Sequence, residues 1–110
     1  MTDSKGYTGF MLAAYTGRTE VIKVMLKYSE DRDIYLNAVN YKGRNGFMLA
    51  CFKGHFKAVK AILDQATDLA INVSCVDSDG ESALKLALQR GHRKIAELLK
   101  NYSEDHEDVM

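Results

Sequence analysis

The sequence predicts an all-α solenoid in which three helix-turn-helix units stack side by side and extended fingers join one unit to the next. Three observations carry this reading: a repeat, a pair of apolar stripes within each repeat, and helix-boundary residues that recur in register. The repeat reads TGFMLAAYTG at 8–17, NGFMLACFKG at 45–54 and SALKLALQRG at 82–91, and its closing glycines Gly17, Gly54 and Gly91 set a period of 37 residues. Self-similarity at such a period marks an array of supersecondary units, each burying its apolar face on a neighbour. Composition fits a folded chain of this kind, with 110 residues, 46% of them hydrophobic and 27% charged, and no proline.

Each element follows from local chemistry. Thr8, Asn45 and Ser82 place a short side-chain acceptor just before an apolar run, where the free N–H groups of a first helical turn need capping. The Ala-, Leu-, Met- and Phe-rich residues that follow make a short first helix, and Gly17, Gly54 and Gly91 end it in the left-handed conformation. Beyond each glycine comes a second stripe at helical spacing: Val21, Ile22, Val24, Met25 and Leu26; Ala58, Val59, Ala61, Ile62 and Leu63; Ile95, Ala96, Leu98 and Leu99. Both helices are predicted at roughly two to three turns, too short to stand alone, so stacking supplies their stability. Between units, residues 36–43 and 73–80 read as extended stretches closing on turns at Gly43 and Gly80, which, like Gly6, follow Asp3, Asn40 or Asp77 by three residues. The predicted units are 3–39, 40–76 and 77–103, with 104–110 a disordered acidic tail or the start of a next inter-repeat loop.

The pattern resembles the ankyrin repeat, whose period is near 33 and whose signature is Thr-Pro-Leu-His-x-Ala. The resemblance covers essentially the whole chain. It rests on Asp3, Gly6, Thr8, Phe10, Ala13, Gly17 and Val21 in the first unit, on Gly43, Asn45, Phe47, Ala50, Gly54, His55 and Val59 in the second, and on Asp77, Gly80, Ser82, Leu84, Ala87, Gly91, His92 and Ile95 in the third. A generic stack of helical hairpins is the alternative.

Departures from the family carry expectations of their own. Gly9, Gly46 and Ala83 stand where the family has proline, and Met11, Met48 and Lys85 where it has histidine. Both losses are expected to lower stability, because proline pre-organises a first helical turn and the histidine, by the resemblance, links neighbouring units. The longer period places extra residues in loops after the second helix, at 29–35 and 66–72, where added length costs little closure entropy. The first unit is as apolar as the internal one, which is unlike the polar capping repeats of such arrays. YSED at 28–31 returns at 102–105, the same step of the repeat two periods on. These features predict a fragment of a longer array rather than a short array without caps, although Lys100, standing where Leu26 and Leu63 do, points the other way.

Catalysis finds no support. His55 and His92 share one repeat position and read as framework, His106 lies in the tail, and Cys51 occupies the position of Ala14 and Leu88, as a core thiol would. No phosphate loop, metalloprotease helix, paired Cys-x-x-Cys or serine elbow occurs, so no enzyme activity, metal or cofactor is expected. Cys51 and Cys75 read as reduced thiols, and the chain is expected to be cytoplasmic, with the nucleus as the alternative. No apolar run reaches the roughly 20 residues that span a bilayer. Balanced charge, 15 positive against 15 negative, weighs against nucleic-acid binding, which draws affinity from clustered cations.

Binding is the predicted function, because in arrays of this family the fingers and the ends of the first helices form a continuous concave surface. The resemblance places Lys5, Tyr7 and Tyr15 there from the first unit, Tyr41, Lys42, Arg44, Phe52 and Lys53 from the second, and Asp79, Glu81 and Arg90 from the third. Tyr, Phe and Arg are residue types that interfaces favour. Phe52 reads equally as packing against its own neighbouring helices, whereas Tyr41, at a turn tip, has less to pack on. Residues 1–76 carry 10 Lys and Arg against 7 Asp and Glu, and residues 77–110 carry 5 against 8. With Lys42, Arg44 and Lys53 at its centre, the surface is expected to take a protein or peptide, an acidic one in particular, and no small-molecule substrate. The chain itself is expected to be monomeric. The alternative is a targeting or regulatory fragment of a larger enzyme, channel or scaffold whose chemistry lies elsewhere.

Overall fold

Three capping side chains set where the first helices begin. In the computed structural model, which describes residues 6–28 and 36–107, Thr8 Oγ1 accepts from the Met11 N–H at 3.2 Å, Asn45 Oδ1 from Met48 at 2.9 Å and Ser82 Oγ from Lys85 at 3.2 Å. These contacts open α1 (Gly9–Thr16), α3 (Gly46–Lys53) and α5 (Ala83–Gln89). Gly17 (φ 72°) and Gly54 (φ 81°) close α1 and α3 in the left-handed region. α5 stops at Arg90, and Gly91 takes the left-handed turn at φ 77°. The second helices are α2 (Thr19–Tyr28), α4 (Phe56–Leu69) and α6 (Arg93–Glu107).

The six helices form two layers among the described residues. α1, α3 and α5 pack side by side in one, α2, α4 and α6 in the other, and the two helices of each unit pack on each other. This explains why α3 buries six consecutive residues, Gly46 through Cys51: a helix with neighbours on both sides and a third behind it has almost no face left for water. Second helices keep a wet face, as Lys57, Lys60 and Asp64 of α4 show, while Val59, Ile62 and Ala66 turn inward. The core runs from Phe10 and Ile22 through Phe47 and Ile62 to Leu86 and Ile95.

The fingers are hairpin turns built on one acceptor each. Asn40 Oδ1 accepts from the N–H groups of Lys42 (2.9 Å) and Arg44 (3.1 Å), and Asp77 Oδ1 accepts from Asp79 and Glu81 (2.9 Å each). Backbone bonds from Gly43 to Asn40 and from Gly80 to Asp77, each 2.9 Å, complete the turns. Among the described residues, an isolated antiparallel bridge pairs Val76 with Ser82.

Three predicted features come out differently. α4 runs for 14 residues to Leu69 and turns at Ala70 (φ 54°), so residues 66–69, expected in a loop, are helical. The stretch holds neither glycine nor proline, and Ala66 and Leu69 continue the apolar stripe onto the core. α6 runs for 15 residues through Glu107, carrying residues 104–107, expected in a disordered tail or loop, in helical backbone. Both helices therefore reach about four turns rather than two to three. Residues 36 and 37 are helical, so the predicted extended stretch can begin no earlier than 38. The other predicted inter-unit loop, 29–35, lies outside the described residues.

Candidate protein-binding surface

In every unit the residue just before the helix cap meets the residue eight positions on, at the helix's far end, but the chemistry changes. In the first unit Tyr7 and Tyr15 meet edge to face with ring centroids 5.8 Å apart. In the second the Arg44 guanidinium lies 4.5 Å from the centre of the Phe52 ring. In the third the Gln89 amide donates to Glu81 Oε2 at 2.9 Å. Aromatic edge-to-face contact, cation–π contact and an amide–carboxylate hydrogen bond fill the same place in turn.

A second set of contacts joins each unit to the next. Lys53 Nζ sits 4.9 Å from the Tyr15 ring centre, and the Arg90 guanidinium 4.8 Å from that of Phe52. Lys53 and Arg90 stand at one repeat position, as do Tyr15 and Phe52. The surface is thus a ladder in which a cation from each later unit covers the aromatic of the unit before. Beneath it, His55 Nε2 donates to the Tyr15 carbonyl at 2.9 Å and His92 Nε2 to the Phe52 carbonyl at 3.0 Å. A carbonyl only accepts, so the proton sits on Nε2 in both rings. The close approach requires the helix-ending glycines: a Cβ at Gly17 would stand 2.6 Å from the His55 ring, and one at Gly54 2.5 Å from that of His92. These histidines link units although the family's own linking histidine is replaced by Met11, Met48 and Lys85.

Arg44 is fixed twice. Besides Phe52 it holds Asp77 of the next finger, Nε to Oδ2 at 3.1 Å, with side chains 12% and 1% exposed. Burial opposes the charge on Asp77, but the Glu81 N–H, the Arg44 guanidinium, the Asp79 N–H and the Arg44 charge outweigh it and hold the carboxyl below the usual aspartate range. The Ser78 N–H also donates to the Lys42 carbonyl at 2.9 Å, tying finger to finger.

The remaining predicted residues spread over the fingers. Tyr41 is 76% exposed, with its ring against the backbone of Gly6 in the neighbouring finger. Tyr7, Asn40, Tyr41 and Lys42 line a shallow hollow of about 350 Å³. Lys53, Asp79 and Arg90 are exposed. Glu81 is half-buried and engaged by Gln89 and, at 3.8 Å, by Lys85. Lys5 lies outside the described residues. The structure therefore brings together Tyr7 with Tyr15, Lys53 with Tyr15, and both Arg44 and Arg90 with Phe52. It sets Asp79 apart from these pairs. Of the two readings of Phe52, half-burial under two guanidiniums combines both: its ring packs, and what it presents outward is the charge of Arg90.

Sequence reasoning did not single out Asp77 and Asn40 as parts of this surface. Asp77 and Asn40 were legible as turn residues only, and nothing local says that Arg44 reaches an acid 33 residues on. The signal that was present is the alignment itself, which sets Tyr7, Arg44 and Glu81 in one column and Tyr15, Phe52 and Gln89 in another.

Nothing in this arrangement activates a nucleophile. Cys51 is fully buried and burial pushes its thiol far up, so it stays protonated at neutral pH. Burial also raises Cys75, against a smaller opposing effect of its own backbone hydrogen bond, and its Sγ lies 3.6 Å from Met48 Sδ. Among the described residues no three His, Cys, Asp or Glu side chains cluster as metal ligands would, and no helix is long and apolar enough to cross a membrane.

No curated protein matches the sequence. The family model for ankyrin repeats, in three copies, matches residues 10–109. Ankyrin repeat domains are in general protein–protein interaction modules and typically non-catalytic. A match over nearly the full length, together with six helices paired into three stacked helix-turn-helix units, establishes that the chain belongs to the ankyrin repeat family.

Proposed function

We propose that the chain is a non-catalytic binding module that presents its fingers and first-helix ends to a partner protein or peptide of acidic character. The observation that carries this reading is Tyr41, a large aromatic side chain left 76% exposed at a finger tip beside Lys42. An aromatic ring in water is unfavourable by the area it exposes, and one fixed against a neighbouring backbone loses little further entropy when a partner covers it. Lys53 and Arg90 lie farther along the same surface, and their charge favours an acidic partner by steering encounter and selecting against basic competitors.

The test is affinity capture with the intact protein, quantified for wild type, Tyr41→Ala and Lys53→Ala. Both side chains are exposed, so both variants should keep the wild-type helical spectrum and melting temperature. Tyr41→Ala should reduce capture of the specific partner by tenfold or more if it is a central contact, and Lys53→Ala should reduce it less and mainly at low salt. A partner retained equally by wild type and both variants would place binding on another surface.

A further inference from the structure

We infer that the concave surface reads two carboxylates spaced three residues apart on an extended, polyproline-like segment of its partner, one received by Lys53 and the other by Arg90. The inference rests on the concave-face reading above and adds to it a spacing and a backbone conformation.

The cations of this surface differ in how they are engaged. Arg44 is bound to Asp77 and shielded from water, and Lys85 faces Glu81. Among the described residues neither Lys53 nor Arg90 makes an ion pair, and both are exposed. Neither is loose, however, because each lies over a ring of the preceding unit, at 4.9 Å for Lys53 on Tyr15 and 4.8 Å for Arg90 on Phe52. A charge restrained in this way meets a ligand with less rotamer entropy left to lose.

Spacing follows from the repeat. The two cations occupy equivalent positions and are held in equivalent ways, so they are separated by one stacking step, about 8–10 Å between packed helices. A polyproline helix rises about 3.1 Å per residue with three residues per turn, so positions three apart lie about 9 Å apart on the same face. A β-strand repeats its face at about 6.6 or 13 Å and misses the step both ways. An α-helix would match only at seven residues. The polyproline form is favoured by the hollow beside the ladder. Tyr7 and Tyr41 line it together with Asn40 and Lys42, and aromatic-lined hollows suit proline-rich segments. Tyr7 also touches Tyr15, the ring under Lys53, so hollow and cation strip are continuous.

The third unit ends the strip. Where Tyr15 and Phe52 offer a ring, Gln89 offers an amide already bonded to Glu81. The described surface therefore provides two such cations, and the ligand needs two acids.

The experiment uses fluorescence anisotropy with labelled synthetic proline-rich peptides of one composition, in which two glutamates are adjacent, two apart or three apart, plus a helical peptide with glutamates seven apart. Each is titrated with the full chain as wild type, Lys53→Gln, Arg90→Gln, the double variant and Tyr41→Ala, with circular dichroism to confirm folding. The three-apart peptide should bind best, and its advantage over the adjacent isomer should fall by about threefold to fivefold with each single substitution and disappear in the double variant. Equal binding of the isomers, a preference surviving in the double variant, tighter binding of the helical peptide, or no binding of the three-apart peptide at low salt would each overturn the inference. Binding lost in Tyr41→Ala but indifferent to Lys53 and Arg90 would leave the concave-face reading standing and remove the spacing rule; binding indifferent to all three residues would remove both.

Discussion

At the junction between the first and second units, Phe10 presses its ring onto Gly46 so closely that a Cβ there would stand 2.6 Å from it, and Tyr7 shares a hollow with Asn40. At the junction between the second and third, the same positions hold Ala83 in place of Gly46 and the Arg44–Asp77 ion pair in place of Tyr7 and Asn40. Both junctions keep the histidine-to-carbonyl bond and the cation over the ring. The difference teaches that repeat register fixes which backbone groups meet, while the side chains at each position decide what force holds the units. The first junction is closed by apolar packing, the second in part by charge.

The largest effect that would test this contrast is Phe10→Ala. Its ring is fully buried, and truncation should lower unfolding stability by about 3–5 kcal/mol, read from denaturant titration. Next is Asp77→Asn, which retains an acceptor for the turn but loses the charge that Arg44 holds, at about 1.5–3 kcal/mol. Because the folded-state carboxyl of Asp77 titrates below its ordinary value, its contribution is present above the unfolded-state pKa of about 3.9 and fades as pH falls through the lower folded-state value. Wild type should therefore lose stability below about pH 4 by more than Asp77→Asn does; parallel acid profiles would show that the pair contributes nothing.

Gly46→Ala comes third. Alanine is the better helix former, yet here its Cβ meets the Phe10 ring, and the substitution should destabilise by about 1–3 kcal/mol through overpacking. Ala83→Gly, at the same repeat position, should also destabilise, by about 0.5–1 kcal/mol, through backbone entropy. If Gly46→Ala stabilised the chain, the first junction would not be packed as described. Of the same order as Ala83→Gly are His55→Ala and His92→Ala, each expected to cost about 0.5–1.5 kcal/mol as one inter-unit hydrogen bond, with melting temperature as the readout.

The two kinds of residue at these junctions also mark what was legible in the sequence. Thr8, Asn45 and Ser82 act on a backbone three residues away, so their role is local chemistry and could be read from the sequence directly. The same holds for the left-handed glycines. Gly46 is different: set against the family it looks like a missing proline, and only the neighbour's ring shows that a side chain there has no room. The surface divides in the same way. Its residues could be placed by register, but their pairing could not, because Tyr7 meets Tyr15 and Glu81 meets Gln89 across the length of a helix, and Arg44 meets Asp77 across a stack. The run of α4 to Leu69 was missed because the family's shorter period made Ala66 and Leu69 look like loop residues, although their spacing continues the buried stripe.

The most direct test of the account is an amide hydrogen-exchange footprint of the chain with a captured partner bound. The account predicts new protection in the fingers around residues 40–44 and 77–81 and at the first-helix ends around 52–54 and 89–91, with α2, α4 and α6 unchanged. Protection concentrated on the second-helix layer, with the fingers exchanging as in the free chain, would contradict it.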